Sequence, residues 1–561
     1  MWLSIRRGEK LGRRVAPPSR LRRWVAPAAW YAVLAVGLLW PAMLQPIAAV
    51  PGAPRTDLAD ALWTSWFVAI RLGSGQLPDS VDGLLNFPDG GALWPADPLN
   101  GVIGAPLVLT IGAAATWTVL AHLHVIFAGL AAHKLGEHFR AQGFVAGTLY
   151  AAAPITLSHL HNGATEAVGG TGWLALAALT AVRLVDRPNW RTILACGAAT
   201  AAAAVAHAYS GALAAIFVCA ASAFAPSWRS RAHLLLAGGV AVMLAAAPLT
   251  MALERATAAD NVVGIKTDKE LATIRRTIGP ADPEGFFHAG EFRSPDFHKL
   301  SRYGEEMVHC AYLGWVPLLA AALSLRRRRG AGVLWVAGGV ALLLSMGPVL
   351  VEDGGPVILA GRRAVPLPYL LVEGLPGFRS LSLLWRLAQL TALCLAVLAA
   401  RAPGRSVGLA WALVVATLAE TRLVSPARDL PWHMSGALAP EIAALSTEPE
   451  GAVMNFPVVG GRPYLYEQTA HKKPLTGSLN FPNNGASRKV WKTAIDTAPG
   501  DVDRFHDAVV ATAQAEGVRY LIVHVDARAY DDDLHADAVR AMKDAFTPIA
   551  ASSAVRVYRF W

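Results

Sequence analysis

The sequence predicts an α-helical polytopic membrane protein that carries a small extracytoplasmic α/β domain. Three observations predict it. Of the 561 residues, 54% are hydrophobic and only 16% are charged, against about 25% charged in soluble chains, so much of the surface does not face water. The apolar residues fall in runs of bilayer length. The basic residues sit in short clusters between those runs, so the formal charge of +10 reads as membrane-flanking residues and not as a nucleic-acid footprint.

About eleven spans can be drawn, each near the roughly 20 residues a bilayer requires: 28–49, 114–135, 143–159, 165–184, 191–206, 209–226, 233–253, 308–325, 331–351, 381–400 and 406–424. A shorter apolar stretch, 101–112, is expected to enter the membrane only partly or to pack against the first loop. The first run, Pro27 to Val50, lacks a clear cleavage signature, with Ala48-Ala49-Val50 the nearest approach to one, and reads as a retained span.

Charge orients these spans. Residues 5–23 hold Arg6, Arg7, Lys10, Arg13, Arg14, Arg20, Arg22 and Arg23. With that end inside, every even-numbered span ends at a basic turn: His133-Lys134 with Arg140, Arg183 with Arg187 and Arg191, Arg229 with Arg231, Arg326 to Arg329, and Arg401 with Arg405. The positive-inside rule then places the N-terminus in the cytoplasm and the tail outside. In a bacterium this is the inner (plasma) membrane with a periplasmic tail. Residues 1–425 form the membrane domain, with outer loops 50–100, 254–307 and 352–380, and residues 426–561 form the soluble domain.

In the first outer loop, Leu58 to Leu72 is amphipathic and carries Trp63, Trp66 and Phe67, which predicts a helix lying at the membrane interface. In the tail, 452–456, 520–525 and 555–560 read as strands, with helices near 501–516 and 533–546. Asn-Phe-Pro recurs at 86–88, 455–457 and 480–482; the irregular spacing indicates shared turn chemistry and not a repeat. Cys196, Cys219, Cys310 and Cys394 lie in or beside apolar runs and read as packing residues, leaving the tail without a disulfide framework.

Polar residues at the outer span ends are the candidates for chemistry. Asp57 and Asp60, three apart, share one helical face and could bind a divalent cation or supply a general base; the alternative is a plain helix start, with a cap and an acid in the first turn. His159, His161 and Glu166 follow in the turn between spans three and four, where an acid this near the bilayer calls for a protein cavity. His207 and Tyr209 lie in the next outer turn, and Glu305, Glu306 and His309 precede span eight. Arg379 and Arg386 flank the start of span ten. Arg386 requires an anionic partner, such as a lipid phosphate, or else snorkels to the interface. No Walker loop, dinucleotide fingerprint, zinc-protease motif or Gly-x-Ser-x-Gly elbow occurs, which argues against ATP or serine hydrolysis by those routes.

Several of these features together resemble the GT-C superfamily, multi-spanning glycosyltransferases that use polyprenyl-phosphate-linked sugars outside the cytoplasm. The resemblance rests on Asp57 and the aromatic helix after it, on Leu85-Asn86-Phe87-Pro88-Asp89-Gly90-Gly91 running to Asp97-Pro98-Leu99-Asn100, on Tyr312-Leu313-Gly314, and on Leu375-Pro376-Gly377-Phe378-Arg379 with Arg386 beyond. Asn455-Phe456-Pro457, Tyr464, Gln468 and His471 follow ahead of the α/β domain. The resemblance implies Asp57 as the catalytic or metal-linked acid, Glu166 as an assisting acid with Asp60 nearby, and Arg386 with Arg379 as lipid-phosphate ligands. His159, His161, His207, Tyr209, Glu305 and Glu306 would line the substrate cavity. It also implies a polyprenyl-phosphate-linked sugar as donor, a glycan, lipid or protein acceptor, surrounding membrane lipids, and a divalent cation (Mg or Mn) at Asp57. The chain departs from the protein mannosyltransferase pattern in having no adjacent Asp-Glu pair in the first loop, which puts metal use in question. Two other classes fit the same span pattern: a non-catalytic scaffold of envelope polysaccharide assembly, and a flippase, which would need polar residues across the whole bilayer.

Overall fold

The computed structural model describes residues 22–263, 267–292, 306–325, 330–359, 363–375, 377–456, 462–477, 485–498, 501–525 and 533–561. Glu305, Arg302, the Arg326–Arg329 turn, the third Asn-Phe-Pro and most of the basic N-terminal cluster lie outside them.

Twenty helices run in chain order among these residues. The first ten are α1 (Arg22–Leu38), α2 (Leu58–Gly73), α3 (Pro98–Ile111), α4 (Ala113–His138), α5 (Gly143–Ala151), α6 (Pro154–His161), α7 (Thr165–Asp186), α8 (Trp190–Ala206), α9 (Ala208–Ala223) and α10 (Trp228–Ala256). Then come α11 (Asp268–Ile274), α12 (Trp315–Ser324), α13 (Gly332–Ser345), α14 (Ala388–Ala399) and α15 (Val407–Ala419). The last five are α16 (Pro440–Ala444), α17 (Arg462–His471), α18 (Gly485–Thr497), α19 (Val502–Ala515) and α20 (Asp533–Ala545).

Among the described residues, four stretches are long and apolar enough to cross a membrane by length and composition: α4, α7, α10, and α15 with the π-helical turn that extends it to Val424. Other apolar helices, α8, α9, α12 and α13 among them, are shorter. The difference from the expected spans has local causes. The run 143–159 is split because Pro154 starts α6 after an extended Ala153; proline suits the first turn of a helix but not its interior. The run 308–325 becomes helical only at Trp315, after Gly314 at φ +84°, and its first part is non-helical, held at Val308 by Ser158 and Asn162. The stretch 101–112 is the helix α3, opened by Asp97, whose side chain accepts from the backbone N–H of Asn100.

Burial sorts the helices by neighbour. Every residue of α14 is buried, in a core shared with α4, α5, α7, α9 and α13. In contrast, α10 leaves Leu235, Leu236, Val242, Met243 and Leu253 exposed. An apolar surface of this kind requires a non-aqueous neighbour, and lipid supplies one.

The tail folds around a four-stranded sheet. Ala452–Phe456 pairs parallel with Val518–His524, which pairs antiparallel with Val555–Arg559, and the short Ala550–Ala551 closes the edge. One face packs Met454, Phe456, Leu521 and Tyr558 against Trp491 of α18, Phe505 of α19 and Phe546 just beyond α20. The other face packs Val453, Tyr520 and Val557 against Trp63, Phe67, Leu85 and Leu93 of the loop 50–100. Trp63 and Phe67 are therefore fully buried against the tail and do not lie at a lipid interface, which corrects the expectation for α2. Trp63 Nε1 donates to Gln468 Oε1 at 2.6 Å. Main-chain bonds extend the seam: Phe87 N to Leu475 O, Leu475 N to Leu84 O, and Asn86 N to Gly477 O. The Asn-Phe-Pro stretches do not share turn chemistry. Asn86 is a turn residue at φ +54°, whereas Asn455 and Phe456 lie in a strand.

Candidate functional site

The short turn 158–166 gathers several loops. Ala53 N donates to His161 O and Asp57 N to Asn162 O, which fastens the start of α2 to it. Gly163 makes that approach possible: it sits at φ +64°, and a Cβ there would come within 2.3 Å of the Leu58 backbone. From the other side, Asn162 exchanges hydrogen bonds with the backbone N–H and carbonyl of Val308, and Ser158 Oγ donates to the same carbonyl. Thr165 Oγ1 donates to Asp97 Oδ2 at 2.6 Å. Segments 250 residues apart in sequence thus meet at one turn.

Asp57 holds the N-cap position of α2 but makes no side-chain capping bond; the Leu58 N–H uses Thr56 Oγ1 instead. The helix-start reading therefore accounts for where Asp57 sits but does not use its carboxylate. Glu166, in the first turn of α7, lies within Coulombic range of both Asp57 and Asp97 and pairs with Arg386 at 3.4 Å. Asp60 is half-buried in the first turn of α2. Asp97, missed as a site residue though noted in its loop, is buried. Burial pushes its carboxyl above the usual carboxylate value, against the opposing pull of hydrogen bonds from Thr165 and Asn100.

Arg386 is 7% exposed and lies in the 3₁₀ turn Leu384–Leu387 ahead of α14. It does not snorkel. Nη1 faces Glu166 Oε1 at 3.4 Å and His207 Nε2 at 3.3 Å, and the guanidinium lies over the Tyr209 and Trp385 rings, 5.5 and 5.9 Å from their centroids. Trp385 is sandwiched between the imidazoles of His159 and His309, with centroid separations of 5.2 and 5.0 Å. His207 stacks on Tyr209, and burial followed by the Arg386 charge hold its imidazole neutral, well below its ordinary value. The Tyr209 hydroxyl accepts from the N–H groups of Ser382 and Leu383, which fixes the strand of chain that delivers Arg386.

Other expected residues serve elsewhere. His161 uses both ring nitrogens on main-chain groups, Glu306 O and Trp432 N. Glu306, half-buried, donates its own N–H to Arg55 O. Arg379 is exposed and pairs with Asp268, in a surface cleft apart from the Arg386 cluster. Trp385 was overlooked because an indole inside an apolar run looks like packing; its two histidine partners lie more than 70 residues away. Glu420, also overlooked, accepts from Tyr312 Oη, Trp315 N and Val316 N and so caps α12. Its signal was legible: an acid inside an apolar span needs an internal partner.

The cluster holds unused hydrogen-bonding capacity. His159 Nδ1, Trp385 Nε1 and Arg386 Nε are buried with no hydrogen-bond partner among the described residues. Each such group costs about 1–3 kcal/mol if left unmet, so an acceptor from water or a ligand belongs beside them. Arg386 is also held loosely, since tight charge-assisted bonds run roughly 2.7–2.9 Å. The arrangement can receive an anionic oxygen next to a carboxylate pair. Among the described residues no group of three or more His, Cys, Asp or Glu side chains could hold a metal ion.

No protein-family model matches the chain, and no curated protein matches it. Solved structures do. The arabinofuranosyltransferase AftD from Mycobacteria superposes with a TM-score of 0.55 at 16% identity, covering 96% of this chain and 41% of AftD. The chain thus spans less than half of that protein's length. The archaeal oligosaccharyltransferase AglB from Archaeoglobus fulgidus, solved with an inhibitory peptide and a dolichol-phosphate, gives 0.46 at 11% identity over 91% of this chain and 70% of AglB. ArnT from Cupriavidus metallidurans, bound to undecaprenyl phosphate, gives 0.45 at 12% identity over 97% and 99%. The AftD superposition, over nearly the whole chain, carries the conclusion about architecture: this chain has the fold of the GT-C superfamily of glycosyltransferases.

Proposed function

We propose that this chain is a membrane glycosyltransferase that moves a sugar from a polyprenyl-phosphate donor to an acceptor on the extracytoplasmic face. The observation that carries the reading is the meeting of Asp57, Glu166 and Arg386, from three distant segments, beside buried nitrogens with no hydrogen-bond partner among the described residues. In this reading Asp57 takes the proton of the acceptor hydroxyl as the new glycosidic bond forms. The bond from the sugar to the lipid phosphate breaks, and the electron pair leaves on the phosphate oxygen. Arg386 stabilises that charge, which is usually the largest single catalytic term. Glu166 and His207 hold the guanidinium in place, and Asp60 supports the acid side of the site.

The outer placement of loops 50–100, 254–307 and 352–380, the periplasmic side of the tail and the inner-membrane location follow from the charge alternation and belong to the same proposal. The burial of the α2 aromatics against the tail supports a tail that shapes the acceptor side. The test is transfer of labelled sugar from a lipid-phosphate donor by the purified full chain. Asp57→Asn is expected to lower transfer at least about 100-fold, within the range for loss of a general base. Full transfer by this variant would remove Asp57 from the mechanism. Lipid scrambling without transfer in reconstituted vesicles would favour a flippase.

A further inference from the structure

We propose that this chain has a second, surface site, which binds the phosphate-bearing headgroup of an anionic lipid. It lies in an open cleft of about 560 Å³ between α11 and a wall of Leu370, Glu373, Gly374 and Arg379. Lys269, Arg275, Arg276 and Arg379 line it, against one lining carboxylate, Glu373. The inference does not depend on the transfer reaction, and the site is distinct from the buried Arg386 cluster.

The cleft is built and not incidental. Arg275 is buried, with Nε on Glu373 at 2.9 Å and Nη1 on the carbonyl of Arg379. Arg276 meets Glu373 with both terminal nitrogens, at 3.1 and 3.0 Å. These bonds tie α11 to that wall and fix the positions of the cations. Glu373 is shared by two arginines, and Asp268 pairs with Arg379 at the rim, so positive charge remains in excess on the walls.

Size and surroundings identify the occupant. The volume falls within the range of small-molecule sites, about 300–1,000 Å³, and exceeds what a bare phosphate fills; a phosphodiester headgroup suits it. The rim is apolar on one side. Leu371 is 85% exposed, and Leu370 and Leu375 are also exposed, because Tyr369 is buried and its hydroxyl is fixed to Phe378 O. Exposed leucines beside clustered Lys and Arg are the chemistry of a membrane surface. The loop bearing α11 also rests on the end of α13, through Ala281 N to Ser345 O, so the cleft sits at a span end, where lipid headgroups lie.

The experiment measures binding to the purified full chain in neutral detergent with three probes: dioctanoyl phosphatidylglycerol, dioctanoylglycerol and glycerol 3-phosphate. The phospholipid is expected to bind at least tenfold more tightly than either the neutral lipid or the free phosphate ester. Lys269→Glu, a change of two charge units at an exposed position, is expected to weaken phospholipid binding roughly 25-fold, at about fivefold per charge. Leu371→Gln is expected to weaken the phospholipid and leave glycerol 3-phosphate unchanged. Wild-type binding by Lys269→Glu overturns the site. Loss in Arg386→Gln alone places the lipid in the buried cluster and also overturns it. Equal binding of glycerol 3-phosphate and phospholipid overturns the lipid source.

Discussion

Two arginines that flank one short stretch of chain occupy opposite environments. Arg386 is buried among rings, with one carboxylate and one imidazole within 3.4 Å. Arg379 is 63% exposed on its side chain and pairs with Asp268, which is 69% exposed. In sequence they look alike, as basic residues near one span end. The structure teaches that burial, not charge, separates them. In a water-poor setting a lost partner leaves an uncompensated ion, whereas at the surface water replaces it.

The contrast can be broken by deleting one carboxylate from each pair. Glu166→Ala is expected to lower unfolding stability by about 3 kcal/mol, near the low end for breaking a buried pair because Glu166 keeps 19% side-chain exposure; thermal unfolding of the purified chain reads it. A loss below about 0.5 kcal/mol would put Arg386 in the same class as Arg379. Gly163→Ala comes next. Its Cβ would meet backbone and its φ is positive, so a loss of about 1–2 kcal/mol is expected, with displacement of Asp57 from Glu166 and a matching fall in sugar transfer. Asp268→Asn is the smallest, within about 0.5 kcal/mol of wild type, and that residual effect should vanish at high salt.

Much of this was legible in the sequence, for identifiable reasons. The tail strand at 452–456 and the helices α4 and α7 fell close to their expected bounds, because periodicity and span length are local signals. Glu166 and Arg386 were flagged because an acid or an arginine this near the bilayer is costly unless partnered, and Asp57 because it shares a helical face with Asp60. What stayed hidden was relational. Trp385 acquires meaning only between His159 and His309, and Asp97 only through Thr165. The α2 aromatics were assigned to lipid because nothing within their own helix announces a sheet that follows about 390 residues later. Asn-Phe-Pro misled for the same reason: Asn86 occupies a turn, whereas Asn455 and Phe456 lie in a strand.

That seam between the first outer loop and the tail has a consequence for biogenesis. Trp63 waits for Gln468 and Leu84 for Leu475, partners about 400 residues downstream. Chains fold from the N-terminus as they are synthesised, and contacts of such high sequence separation form late. The loop that carries Asp57 therefore emerges early and stands unfinished, its tryptophan and phenylalanine uncovered, until most of the chain has been made. A truncation after α15 would leave that surface without the sheet it packs against.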